Sequence, residues 1–494
     1  MDSADGAAVR IAMTVGSRGR HEGVLLRSVH ETAGDSEGRE ITFRRRYGPI
    51  NADLSAGANV AGAKPLRANE ALSNRGVIPH GAGFIVTPEQ AQQLGLGQRA
   101  GLEAHIRPYR NGRDITQKPR GVMVIDAYPL ERHELKMRYP EVYQWLHDRV
   151  KPDRDQQRDR SLREGWWLHR RNNADMRESL EGLSRYIVTL QTAKHRFFTF
   201  LGAEVLPDDK LIAIALEDAF SLGVLSSRLH VLWALQSGSR LGVGNDSVYN
   251  KSSCFEAFPF PLANEDQIAR IRDRGERIDA HRAHQQAEHP KLTLTGLYNV
   301  LEKERAGEYL TEKERTIHEQ GLVSVLAELH DELDHAVLDA YGWGDLSDAV
   351  MGLPGGTTPT ANKPDEQAEA EDTPLDRLVT LNTKRAAKEA HGHVRWLRPE
   401  YQAPDDAKQA AIETSETITA TESSRVSASA KIKFPKSMVE RVQSIRSDLA
   451  DGPQTVDQLT ARYKRKPRKG VEDTLHAVAV AGMAYEEDGL WRLR

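Results

Sequence analysis

The sequence predicts a multidomain α+β protein, and three observations carry that prediction. The 494 residues exceed what one ordinary core organises. Short apolar runs of strand length recur through the first half, while charged stretches of helical period dominate from about residue 262 onward.

The elements follow in order. AAVRIAMTVG (7–16) reads as a buried strand and ITFRRRYG (41–48) as its partner. In GAGFIVTPEQAQQLGL a strand runs into a short helix, with Thr87 as N-cap and Pro88 at the first helical position. VMVIDAYP (122–129) is a further strand, and YPEVYQWLHDRVKPDRDQQRD opens an amphipathic helix. RYIVTL, FFTFLG and KLIAIAL read as three strands, followed by one helix lined by Leu225, Leu229, Leu232 and Trp233. The segment YNKSSCFEAFPFP (249–261) marks a joint: Phe255, Phe258 and Phe260 are expected to bury there, while Pro259 and Pro261 stiffen the exit into a helical module. A linker composition covers 351–374, a helical segment 375–402 and a second polar tract 403–430, the latter expected to be disordered. Residues 431–494 show three helices and a terminal ribbon, the order of a winged helix-turn-helix, with KRKPRKG (464–470) before the third helix as candidate phosphate-binding charge or a solvated turn.

Composition narrows the function classes. The single cysteine, Cys254, excludes an intrachain disulfide and a thiolate-rich zinc site, and fits a buried small side chain in a reducing compartment. The chain lacks an apolar run of about eighteen residues and a signal-like N-terminus, so a cytoplasmic address without a membrane is expected. The formal charge of −4 averages over separate basic and acidic regions and does not itself name a partner. Arg149–Arg171 is one such region, with eight Lys and Arg against four acids and Trp166–Trp167 inside it. Such density can track a phosphate backbone, although the tryptophans fit core anchors better.

Other chemistry finds less support. The phosphate-binding pattern GxxxxGK[ST] is absent, and VGSRGR (15–20) reads as a hairpin loop. His330 and Asp334 in HDELDH lie one helical turn apart, where a charged helix face accounts for them better than a metal does. Asp126 with Glu134–Leu135–Lys136 has the letters of a magnesium nuclease, but ELK reads as helix rather than strand.

An ordered series then enters. HIRPYRNGRDI (105–115), YPEVYQWLHDRVKPDR, REGWW (163–167), RYIVTLQTAKHRFF, LPDDKLIAIALEDAFSLGVLSSRLHVLWALQSGSRLG, YNKSSCFEAFPFP, LHDELDHAVLDAYGW (329–343) and LDRLVTLNTKRAAKEA (375–390) together resemble the large adenine-specific DNA methyltransferases related to the MmeI restriction-modification enzyme. The resemblance implies a Rossmann-like domain that binds S-adenosylmethionine, a flipped adenine methylated at N6 through an Asn-Pro-Pro-Tyr/Phe loop, and a target-recognition domain followed by helices. This sequence contains neither NPPY nor NPPF, nor a credible cofactor-binding glycine loop. A poorly nucleophilic N6 needs such a loop to hold it. The resemblance therefore implies the recognition part of the enzyme, split or truncated. Residues 1–100 would be the tail of the methyltransferase-like sheet, 101–261 the recognition domain and 262–350 the helical module. Double-stranded DNA and a separate catalytic subunit would be the partners, and the cofactor would bind that subunit.

Charge and position then nominate Arg110, Arg113, Lys151, Arg154, Arg158, Lys194, His195 and Arg196 for phosphate contact. The loop from Gln236 to Ser252 offers Arg240, Asn245, Asp246, Asn250 and Lys251 as base-reading groups. A stand-alone DNA-binding regulator acting through the C-terminal unit, and a nuclease built on Asp126 and Glu134, are the alternatives.

Overall fold

The structure is a computed structural model. It describes residues 13–404 and 434–493, apart from 17, 20–22, 33–39, 52–53, 55, 242–245, 359–364, 436–437, 451–453, 464–466, 481–483 and 488–489. The chain divides into a first unit, Met1–Ala407, and a second, Lys408–Arg494.

In the first unit, β1 (Gly23–Thr32) and β2 (Glu40–Gly48) form an antiparallel hairpin, with Val24 opposite Tyr47. This corrects the expected pairing: β2 takes Gly23–Thr32 as partner, residues 13–16 carry no strand, and 7–12 lie outside the described residues. Two four-stranded sheets follow, built from β3 (Ser73–Arg75), β4 (Ile85–Val86), β5 (Ile106–Arg110), β6 (Met123–Ile125), β7 (Arg185–Leu190), β9 (Thr199–Gly202), β10 (Leu206–Pro207) and β11 (Leu211–Ile214), while β8 (Thr192–Ala193) lies outside both. Their orders are β10-β5-β6-β4 and β3-β11-β7-β9. A third sheet, β12-β13-β8, adds β12 (Ser239–Leu241) and β13 (Asp246–Val248).

The strand sequences explain this arrangement. RYIVTL and LIAI supply nearly continuous runs of apolar residues to β7 and β11, which are buried at almost every position and pair antiparallel in the middle of their sheet. At the edge, β3 reads Ser-Asn-Arg and is held by register rather than by apolar pattern, with Arg75 opposite Ile212. Gly76 follows because the chain there presses against backbone: a Cβ would stand 2.2 Å from the Pro207 carbonyl oxygen. Since β3 and β4 belong to the same sheets as β11 and β6, the expected boundary at 100/101 cuts through two sheets. The domain starts earlier.

The helical predictions hold in outline. Thr87 and Gln90 form a capping box with Pro88 at the first turn of Pro88–Gln93. Beyond Pro261 come Glu265–Glu288, Leu294–Arg305, Glu312–Gly321 and Val323–Tyr341. The helix expected over Leu225–Trp233 is two helices, Ala219–Ser226 and Arg228–Ser237, separated at extended Ser227. Ala219–Ser226 lies against Glu265–Glu288 backbone to backbone: a Cβ on Gly275 would meet the Ala219 carbonyl oxygen at 2.4 Å. The expected linker 351–374 is corrected as well, because a helix begins at Asp365 and runs to Ala390 with Pro374 inside it. Glu302 also accepts from the Thr357 backbone N–H at 2.9 Å, which fixes the start of that stretch. Residues 405–430 of the second polar tract lie outside the described residues.

YNKSSCFEAFPFP is a packing hub. Cys254, Phe255, Phe258 and Phe260 are all buried, and the Phe258 ring lies 4.4 Å from His230 and 5.4 Å from Phe260. Its carbonyls are claimed from three directions. Asn69 donates to Phe255 and Phe258, Asn382 to Ala257, and Tyr341 to Pro259. The two four-stranded sheets, the helices after Pro261 and the helix Asp365–Ala390 therefore share one continuous core.

The second unit has its own core of Ile445, Leu449, Leu459, Tyr463, Val471, Leu475, Val478, Ala484 and Trp491. Helices Met438–Ala450, Val456–Ala461 and Arg468–Val480 precede the hairpin of β14 (Ala484–Glu487) and β15 (Leu490–Leu493). Among the described residues, no helix is long and apolar enough to cross a membrane.

Candidate functional site

A basic rim forms where the two four-stranded sheets meet the small third one, and Gln191 is its centre. This residue joins β7 to β8; its N–H donates to the Lys210 carbonyl at 2.8 Å, and its own carbonyl accepts from Tyr249 at 2.7 Å. The guanidinium of Arg75 lies beside it, with Nη2 donating to Gln191 Oε1 at 3.2 Å and to Asp209 Oδ2 at 2.5 Å. Arg171 and Lys210 approach the same Asp209 carboxylate at 3.5 and 3.4 Å. Three cations thus surround one carboxylate. Arg75, Arg171 and Lys210 keep 34%, 48% and 69% of their side chains exposed, against 9% for Asp209, so the surface presented is positive.

Neighbouring elements bring in some of the nominated residues. Arg110 ends β5 next to Pro207, and its carbonyl accepts from the Asp208 N–H at 2.8 Å. Exposed Arg113 sits on the short helix Gly112–Thr116, capped by Asn111 and seated where Gly112 meets the Leu190 side chain. Lys194 follows β8, exposed, with Nζ 2.5 Å from Asn299 Oδ1. Arg240 is exposed on β12 and lies across from Ser247, which in turn pairs with Ala193. Asp246 begins β13. Asn245 lies outside the described residues.

Other nominated residues are structural. Arg154 is buried, donating to the carbonyls of Pro79 and Leu168 at 2.8 and 3.2 Å. Arg196 is buried as well, bound to Thr189 Oγ1, the Leu190 carbonyl and both oxygens of Ser247, and burial pulls its pKa down to about 10. His195 is held between Thr357 Oγ1 at 2.9 Å and Asn299 Oδ1 at 2.8 Å, and desolvation lowers its pKa. These three tie loops to strands and present no charge to a ligand. Lys151 pairs with Asp155 at 2.5 Å, and Arg158 is exposed on the turn beyond. Asn250 immediately precedes the helical turn Lys251–Glu256 in a half-buried position, and its side chain makes no capping hydrogen bond. Lys251 lines a cleft of about 530 Å³ in which Glu70, Asp175, Glu178 and Glu256 outnumber it and Arg67, which sets it apart from the basic rim.

The nuclease and metal alternatives lose their groups to structure. Asp126 is buried in a two-pronged pair with Arg177, at 2.5 and 3.0 Å, and Glu134 caps its own helix at Glu131. Asp334 accepts from the Arg228 N–H at 2.7 Å, and His330 pairs with Tyr298. Among the described residues, no group of three or more His, Cys, Asp or Glu could hold a metal ion. Trp166 is buried, and Trp167 donates to the Leu130 carbonyl at 3.0 Å, so both tryptophans are core anchors.

Residues 62–262 match the family model described as MmeI, target recognition domain. The chain carries an MmeI-like target recognition domain. The matched segment begins ahead of β3, as the shared sheets require, and ends at the Phe-Pro hub. Every residue of the basic rim named above, from Arg75 to Arg240, lies inside this recognition domain. A solved structure of the Type IIL restriction-modification enzyme MmeI in complex with DNA is similar over 70% of this chain and 40% of that one, at 17% identity and a TM-score of 0.48. The chain thus spans less than half the length of that enzyme. No curated protein matches.

Proposed function

We propose that this chain is the DNA-recognition portion of a site-specific adenine-N6 DNA methyltransferase of restriction-modification type. Methyl transfer from S-adenosylmethionine would be supplied by a separate catalytic chain. The observation that carries the reading is the basic rim, because it lies within the segment matched to a target recognition domain. Phosphates would be held by Arg110, Arg113, Arg171, Lys194 and Lys210, with Arg158 on the turn beyond and Arg240 near the bases. In duplex recognition, phosphate contacts set the register and a few polar side chains read base edges. A rim of exposed cations around an ordered Arg–Asp–Gln cluster has both parts. This sequence contains neither NPPY nor NPPF, which supports a reading in which the transfer chemistry is supplied by another chain. Hairpin β1–β2 would be the tail of the methyltransferase-like sheet, and the second unit a winged helix.

Electrophoretic mobility shift of the full chain on duplex DNA tests the recognition half. With about six phosphates neutralised, affinity should fall roughly a thousand-fold between 50 and 200 mM salt. An affinity indifferent to salt would remove the basic rim from the interface. Incubation of the chain alone with labelled S-adenosylmethionine and DNA tests the other half: label transferred to DNA would overturn the separate catalytic chain.

A further inference from the structure

Arg75 and Gln191 are the most chemically directed pair on the rim. Arginine offers donors only, so the Gln191 amide must turn its oxygen to Arg75 and its NH₂ away. The guanidinium is also braced by Asp209, with Nε donating to the backbone oxygen at 3.2 Å and the same Nη2 to the carboxylate at 2.5 Å. Asp209 is itself fixed, since its N–H donates to the Val77 carbonyl at 2.9 Å. Arg75 Nη1 and Gln191 Nε2 remain, and neither has a partner among the described residues. Two unpartnered N–H donors therefore remain on neighbouring half-exposed side chains that are hydrogen-bonded to each other, held in place before any ligand arrives.

Base edges differ in what they offer to such a pair. In the major groove, guanine presents two adjacent acceptors, N7 and O6. Adenine sets a donor beside its acceptor, cytosine presents a donor, and thymine offers one acceptor and a methyl group. We infer that Arg75 and Gln191, braced by Asp209, read a guanine of the target duplex. This rests on the DNA-recognition reading above and names a specificity-determining pair within it.

The test is selection of the full chain on a randomised duplex library, with sequencing of the bound fraction. The wild type is expected to enrich a motif with guanine at one position. Arg75→Ala should lose that preference alone and bind the wild-type motif roughly ten-fold more weakly. Gln191→Glu exchanges the outward donor for an acceptor and should turn the same position away from guanine; it reads the pair even where Arg75→Ala fails to fold. Lys210→Ala should weaken binding to all sequences while leaving the motif unchanged. A wild-type motif without guanine, or the same motif enriched by Gln191→Glu, overturns the assignment and leaves the recognition reading standing. A wild-type chain that binds DNA but enriches no motif, or does not bind it, overturns both.

Discussion

At the scale of single residues, charge and role separate by burial. Arg196 and Lys194 stand two positions apart in TAKHRFF, yet one is enclosed and the other is exposed. Local charge density nominates both, because a sequence window does not reveal that Arg196 turns inward to the carbonyls of Leu190 and Ser247. Replacing it with methionine keeps the volume and strands those buried acceptors. Arg196→Met should therefore lose about 3 kcal/mol of stability, read from urea unfolding. Lys194→Met should change stability by less than about 0.5 kcal/mol and weaken DNA binding instead. An equal loss of stability in the two variants would refute the division.

At the scale of elements, the legible parts are those whose pattern is local. Strands β7, β9 and β11 follow from apolar runs, the helix at Pro88 from its cap, and the Phe-Pro hub from its aromatic density. Strand β3 is not legible, since Ser-Asn-Arg has no periodic signal and its place is set by pairing with residues more than a hundred positions away. The same distance hides the candidate site: Arg75 and Asp209 are 134 residues apart, and Asp209 reads in sequence as part of a plain turn. The helix beginning at Asp365 was masked by an acidic, Pro-containing composition that usually marks a linker. Glycines carried a further signal that spacing alone does not decode. Gly275 lets Glu265–Glu288 touch the backbone of Ala219–Ser226, where a methyl group would meet a carbonyl oxygen. Gly275→Ala should cost about 2 kcal/mol despite alanine's better helix propensity, measured as a lower unfolding midpoint. A gain in stability would show that the two helices do not pack this closely.

At the scale of the whole first unit, one core holds histidines that must stay neutral. His230 lies between Phe258 and Phe198, with its Nε2 at 3.0 Å from Tyr249 Oη, and burial, aided by the nearby Arg196 charge, lowers its pKa to about 3. His169 and His330 are shifted in the same direction, chiefly by desolvation. The unfolded chain takes up these protons as pH falls through about 6.5, whereas folded His230 does so only near 3, so its stabilisation is complete above 6.5 and is lost on acidification. Asp334 opposes this: burial raises its pKa to about 6, so the folded state gains a proton first and this group stabilises as pH falls from 6 toward 4. Between pH 6.5 and 5, His230 alone should remove about 2 kcal/mol, and Asp334 returns only about 1. The first unit should therefore unfold at lower urea at pH 5 than at pH 7.5. His230→Gln, which keeps a hydrogen bond to Tyr249 but cannot titrate, should flatten that dependence by about 2 kcal/mol. Parallel pH profiles for the variant and the wild type would mean that His230 takes up its proton in the folded core as readily as in the unfolded chain.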